Sequence, residues 1–184
     1  IPRINIDIKF KHFQKLSKKR EKDLKAGFIS HGLDDYVPAR IRYKNQNFKV
    51  KLRIKGDEID HLEGDKWSFR IHLKGDDHLF GMRRFSIQNP RTRNFEGEPL
   101  FFEALRREGV LVPRYFFGKV AVNGKDIGLM AFEESFSKEL LESQERRESV
   151  IIKFDESNLE LISGNFRKAK IAPFRSKKVS KSEK

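Results

Sequence analysis

The 184-residue sequence contains no cysteine, which excludes disulfide bonds and thiolate metal sites. It has no apolar run approaching the roughly 20 residues that a membrane-spanning helix needs. A Gly-x-x-x-x-Gly-Lys-Ser/Thr phosphate loop is absent, and the five histidines do not fall at metal-ligand spacing. The chain begins at Ile1 rather than methionine, so we expect a fragment or a processed form. These absences exclude several types of site and leave the compartment open.

Basic residues outnumber acidic ones, 40 Lys+Arg against 27 Asp+Glu, for a net charge of +13. A surface of this kind attracts polyanions, including nucleotide phosphates, nucleic acid, acidic lipids and acidic protein tails. Hydrophobic residues make up 37% of the chain and include 17 phenylalanines, enough for a packed core. The charge therefore predicts a class of partner without naming one.

Apolar residues alternate with polar ones in several short stretches, which is the period of half-buried strands. The predicted strands are 4–10, 39–43, 48–55, 67–73, 85–87, 115–122, 127–132 and 150–154, with Asn123-Gly124 as a hairpin turn. Helical spacing with end signals predicts helices at 11–28, 98–108 and 135–148. Together these elements predict an α+β fold, a mostly antiparallel sheet with flanking helices.

Composition divides the chain into three predicted parts. Residues 1–38 hold a strand and a charged helix, and residues 39–165 hold the main domain. Residues 166–184 form a basic, Lys/Arg/Ser-rich tail that we expect to be disordered, because it has too few apolar residues to pack.

Three stretches with fixed order and spacing carry the strongest signal. The first is a strand that ends in cations and a glycine, residues 50–56, VKLRIKG. The second is KWSFRI at 66–71, and the third is the hairpin VAVNGKDIGLMAFEE at 120–134. In this order they resemble the CotH (spore-coat protein H-like) kinase family over roughly residues 41–156. The resemblance implies the N-terminal lobe of an atypical protein kinase, which uses ATP and Mg²⁺ to phosphorylate a Ser/Thr-rich protein substrate.

The cations on two neighbouring strands are the candidate phosphate ligands. Lys66 and Arg70 are four residues apart, so on a strand they point to the same face, and Arg53 precedes them on the other strand. Guanidinium and ammonium groups that converge on a cleft suit a triphosphate, because phosphoryl transfer depends on positioning and charge neutralisation. The resemblance matches Lys66 to a family lysine and Glu134 to a family acidic residue. We therefore predict that Arg53, Lys66, Arg70 and Glu134 bind the nucleotide.

The sequence also departs from the family pattern. The Asn/Asp-bearing catalytic loop and the later W-D-x-D-type motif of the family have no match here, so we predict no catalytic residue and expect the segment alone to be inactive. Two other functional hypotheses remain open. One is a non-catalytic module acting in coat or surface assembly. The other is a polyanion-binding module, with nucleic acid possible though not favoured.

Overall fold

The computed structural model describes residues 1–147, 149, 151–155 and 170–174. These residues fall into two compact units, 1–135 and 136–184, and the first unit holds the candidate site. Strands of the first unit are β1 (Arg3–Asp7), β2 (Val37–Tyr43), β3 (Gln46–Ile54), β4 (Phe69–Leu73), β5 (Arg84–Gln88), β6 (Tyr115–Val122) and β7 (Lys125–Glu134).

The seven strands form a closed barrel in the order β1-β2-β3-β4-β5-β7-β6. Neighbours pair antiparallel except at the closure, where β1 runs parallel to β6 with Ile4 opposite Val120. Buried and more exposed positions alternate along β1 to β4, and the inward-facing apolar side chains of the seven strands meet inside the barrel. The largest fully buried side chains on its strands are Ile4, Ile6, Ile41, Leu52, Phe69, Ile71, Phe85, Ile87 and Phe132.

The predicted α+β fold, a mostly antiparallel sheet with flanking helices like a kinase N-terminal lobe, is wrong. The described residues contain three α-helices against a closed seven-stranded mixed barrel. The physical reason is the parallel pair between β1 and β6, which joins strands more than a hundred residues apart. Alternation identifies strands, but it does not show whether the two edges of a sheet meet.

Two helices belong to the first unit. Helix α1 (Phe10–Ala26) is the predicted charged helix, and Gly27 ends it in the left-handed conformation. Helix α2 (Gly97–Arg107) has no fully buried residue. Phe101 is 60% exposed, whereas the Phe102 ring packs edge-on against Tyr115. Apolar surface on α2 is thus uncovered within the part of the chain that the structure describes.

The second unit contains helix α3 (Lys138–Ser143) and a two-stranded sheet of β8 (Ile151–Asp155) and β9 (Lys170–Phe174). The helix predicted over 135–148 is shorter, because Ser135 still belongs to the sheet edge, where its N–H donates to the Arg84 carbonyl. Within the predicted tail, residues 170–174 form β9, and the other residues of 166–184 lie outside the described residues.

Candidate functional site

The candidate site lies on the outer surface of the barrel, where polar side chains from four strands stand in one register row. Arg53 lies opposite Arg70, Arg70 opposite Ser86, and Ser86 opposite Glu133. Because the apolar residues of β3, β4 and β5 fill the interior, these alternate positions face outward. We call Arg53, Arg70, Ser86 and Glu133 the outer polar row.

A buried ion pair anchors one end of this row. Lys55, only 5% exposed, donates from Nζ to Glu133 Oε2 at 2.7 Å and to the side-chain carbonyl of Gln88. Gln88 Nε2 in turn donates to the same Glu133 oxygen at 3.1 Å. Burial lowers the pKa of Lys55, and the adjacent Glu133 carboxylate opposes that change. The side chains of Lys55, Gln88 and Glu133 therefore satisfy one another's hydrogen-bonding groups where water is largely excluded.

Two arginines form the other end of the row. Burial lowers the pKa of Arg70, and the positive charge of Arg53 lowers it further. The Nε of Arg70 is buried and has no hydrogen-bond partner among the described residues. A buried charged donor without an acceptor costs free energy, which an incoming anion would offset.

Contacts with neighbouring rings hold Arg53 in place. Its Nη1 lies 2.7 Å from His31 Nδ1 and donates to the Ile54 carbonyl at 2.7 Å. Burial and the Arg53 charge lower the pKa of His31, which favours a neutral ring that accepts this hydrogen bond. The Arg53 guanidinium also lies 5.6 Å from the centre of the Tyr36 ring, a cation–π distance. Arg53 is thus positioned before any ligand arrives.

A second acidic group lies close to the ion pair. Burial raises the pKa of Glu98 on α2, and the charge of Glu133 adds to the effect. Burial together with Glu98 raises the pKa of Tyr115 to about 12. Tyr115 lies opposite Glu133 in the β6–β7 register, so it continues the outer polar row. The site therefore combines two arginines at one end with two carboxyl groups and a tyrosine at the other.

The structure brings together only two of the four residues predicted to bind nucleotide. Arg53 and Arg70 are register partners, as the sequence suggested. Lys66 lies before β4 and contacts β7 instead, with Nζ 3.5 Å from the Leu129 carbonyl. Glu134 is 2% exposed and accepts two hydrogen bonds from the Arg114 guanidinium, at 2.9 Å and 2.7 Å. That ion pair accounts for the burial of Glu134 at the end of β7.

Sequence reasoning missed Lys55, Gln88 and Glu133. Lys55 belongs to the same VKLRIKG stretch as Arg53, and Glu133 precedes the residue that the resemblance selected. Successive residues of a strand point to opposite faces, so Glu133 reaches the outer row whereas Glu134 does not. Knowledge of the exact register of β7 would have shown which of the two carboxylates, Glu133 or Glu134, faces the outer polar row. Gln88 carries no sequence signal of its own.

Gly56, the last residue of the VKLRIKG stretch, leaves space for the side chain of His61. Gly56 has φ +110°, and a Cβ there would fall within 3.0 Å of three His61 side-chain atoms. His61 is 7% exposed, with Nδ1 2.9 Å from the Ser68 hydroxyl. The Lys55 N–H donates to the Ser68 carbonyl at 2.9 Å. Gly56 and His61 thus fix the backbone that presents Lys55.

Protonation of His61 is expected to destabilise the fold at acidic pH. Burial, followed by the nearby Lys55 charge, lowers the pKa of His61 to about 4. The unfolded chain binds this proton near the ordinary value of about 6.5. As the pH falls from about 6.5 to about 4, the unfolded state binds a proton that the folded state does not, so the free energy of unfolding decreases.

Urea unfolding measured between pH 7 and pH 4 checks this expectation. The His61→Gln variant should show a smaller loss of stability across that range than the wild-type chain. The His78→Gln variant, changed at an exposed histidine, is the matched control and should keep the wild-type pH dependence. Equal slopes for the wild type and His61→Gln would contradict the assignment to His61.

No protein-family model matches the chain, and no curated protein matches it. No described helix combines the length and the apolar character required to cross a membrane. Across the described residues, His, Asp and Glu side chains do not gather in groups of three that would hold a metal ion.

Proposed function

We propose that this chain is the ATP-binding part of a CotH-like protein Ser/Thr kinase, and that Arg53 and Arg70 hold the nucleotide phosphates. The observation that carries the proposal is the buried Nε of Arg70, a charged donor that has no acceptor among the described residues and lies beside a second guanidinium. Two guanidinium groups side by side repel each other, and a phosphate that accepts from both removes that repulsion.

The Lys55–Glu133 pair supports the same proposal. An ammonium group held by a carboxylate within the same polar row is suited to orient or receive a phosphate oxygen. In this arrangement Glu133 positions Lys55, and Gln88 restricts both side chains. The resemblance also implies Mg²⁺, which proteins bind largely through substrate phosphates, water and one or two carboxylates. The cation would therefore arrive with the nucleotide.

Exposed apolar residues on α2 support a further element of the proposal, a catalytic part that packs beside the row. Leu100 is 69% exposed and Phe101 60% exposed, and Phe95 just before α2 is 52% exposed. Apolar side chains gathered on one short segment are favourable contacts for another protein surface. The protein substrate, rich in Ser/Thr by resemblance, would bind to that completed cleft.

Calorimetric titration with a non-hydrolysable ATP analogue tests the phosphate assignment. Arg70→Ala is expected to weaken binding by about 10- to 100-fold, because a hydrogen bond to a charged group contributes about 1.5–3 kcal/mol. Arg70→Lys should restore only part of the affinity, since it keeps the charge but loses the planar fork. Arg3→Ala, which removes an exposed arginine paired with Asp126, is the matched control.

The proposal fails if Arg70→Ala and Arg3→Ala bind the analogue equally well. Thermal unfolding of each variant without nucleotide separates a binding defect from a folding defect. A loss of affinity without a loss of melting temperature is the expected result for Arg70→Ala.

A further inference from the structure

A second cationic site lies away from the outer polar row, in a pocket of about 570 Å³. The pocket forms between the start of α1 and strands β2 and β3. Its floor includes Ile8, Pro38, Ala39 and Val50, and its rim carries Lys9, Lys11, Arg40, Lys49 and Lys74, with Asp7 and His12. A volume of this size is in the usual range for small-molecule sites, about 300–1,000 Å³.

The five rim cations (Lys9, Lys11, Arg40, Lys49 and Lys74) have no ion-pair partner among the described residues. The acidic residue at the rim, Asp7, is already occupied, because Arg42 donates to both of its oxygens at 2.6 Å and 3.1 Å. The pocket therefore gathers five cations around one carboxylate, and that carboxylate is already paired with Arg42.

The register of neighbouring strands brings three of these cations close together. Arg40 lies directly opposite Lys49 in the β2–β3 pair, and the Lys74 N–H donates to the Lys49 carbonyl at 2.9 Å. Like charges opposite each other on neighbouring strands destabilise a sheet. An anion bound across these strands, which are about 5 Å apart, would offset that repulsion.

The start of α1 adds to the same potential. Helix α1 has no acidic residue in its first turn, and Lys9 at its N-cap provides no side-chain hydrogen bond to the free N–H groups. Burial, then the charges of Lys11 and Lys9, lowers the pKa of His12. Both observations agree with a local excess of positive charge.

We propose that this pocket binds a compound with two or more adjacent phosphate groups, either a free oligophosphate or the phosphate tail of a nucleotide. Five cations around one small cavity require dense negative charge, which adjacent phosphates provide. A peptide carries at most one carboxylate per residue and would need an extended groove. The apolar floor leaves space for a non-phosphate part of the ligand beneath the rim.

This site is separate from the outer polar row. Lys49 and Arg53 are on the same face of β3 but four residues apart, which is about 13 Å along a strand. The inference does not depend on the proposed kinase function. Variants of the two sites therefore fail independently, and Arg70→Ala is expected to leave oligophosphate binding at the pocket unchanged.

Calorimetric titration with tripolyphosphate, ATP and AMP tests the proposal. The triple variant Arg40→Gln/Lys49→Gln/Lys74→Gln is expected to weaken tripolyphosphate binding at least tenfold. The control Lys18→Gln/Lys22→Gln/Lys25→Gln removes the same charge from exposed positions along α1 and should bind nearly as well as the wild type. Without ligand, the pocket variant should melt at or above the wild-type temperature, because it removes like-charge repulsion.

The three ligands identify the form of the phosphate. In the Arg70→Ala variant, which leaves the pocket intact, tighter binding of ATP than of tripolyphosphate assigns a nucleotide to the pocket, and equal binding assigns the phosphate chain alone. In addition, tripolyphosphate should raise the pKa of His12, measured by NMR titration of its ring protons. Equal weakening in the two triple variants, AMP binding as tightly as ATP, or no tripolyphosphate binding at millimolar concentration would overturn the proposal.

Discussion

Replacing Glu133 with alanine is expected to lower the free energy of unfolding by about 3 kcal/mol, one of the largest effects in the barrel. The variant leaves the Lys55 ammonium, whose side chain is 7% exposed, without its carboxylate. Desolvation of an unpaired cation is costly, and among the described residues only the Gln88 carbonyl remains as an acceptor for the Lys55 ammonium. The lower end of the usual range applies because that acceptor stays in place.

Chemical denaturation of three variants measures this effect. The control Glu63→Ala removes one side of an exposed ion pair with Arg91 and should cost about 0–1 kcal/mol. The double variant Lys55→Met/Glu133→Leu, which removes both charges, should recover much of the stability lost in Glu133→Ala. If Glu133→Ala is no less stable than Glu63→Ala, the pair does not hold a buried charge.

Replacing Gly56 with alanine is expected to lower the free energy of unfolding by about 2–4 kcal/mol, from overpacking and backbone strain together. The new Cβ would fall within 3.0 Å of the His61 ring, at a φ of +110° that side-chain-bearing residues rarely adopt. Because His61 holds Ser68, and Ser68 holds the Lys55 backbone, the displacement should extend to the outer polar row.

The Gly27→Ala variant separates overpacking from backbone strain as the cause of the stability loss. Gly27 also has a positive φ, +77°, but a Cβ there would meet nothing within 4 Å, so its replacement should cost only about 1 kcal/mol. In the double variant Gly56→Ala/His61→Ala the clash is absent, so its loss of stability should be less than the sum of the single losses. Additive losses would show that packing against His61 is not the reason for a glycine at 56.

The sequence predicted the strands far better than their assembly. Alternation placed all seven barrel strands within a few residues, because a strand buried on one face must alternate. Composition, however, assigned residues 1–38 and 39–165 to different parts of the chain, whereas β1 belongs to the same barrel as β2 to β7. The partner that completes β1 is β6, and nothing local in either strand encodes that pairing.

Local sequence patterns do not encode strand assembly, and this also explains which site residues were predicted correctly and which were not. Arg53 and Arg70 could be placed together because both lie within well-marked strands whose pairing is local in sequence. Lys66 precedes β4, where strand periodicity no longer fixes the direction of a side chain. The choice between Glu133 and Glu134 depends on a shift of one residue, which exchanges the two faces of β7. Strand register in the folded barrel, rather than composition, determines which of these side chains reach the outer polar row.

The parallel closure between β1 and β6 has a consequence for how the chain acquires its structure. During synthesis β1 leaves the ribosome long before β6, and loop-closure entropy opposes so distant a contact. Until residues 115–122 are made, β1 exposes one row of unpaired N–H and C=O groups, and β5 exposes another before β7 arrives. Nascent chains of this protein should therefore depend on chaperones more than their modest length suggests.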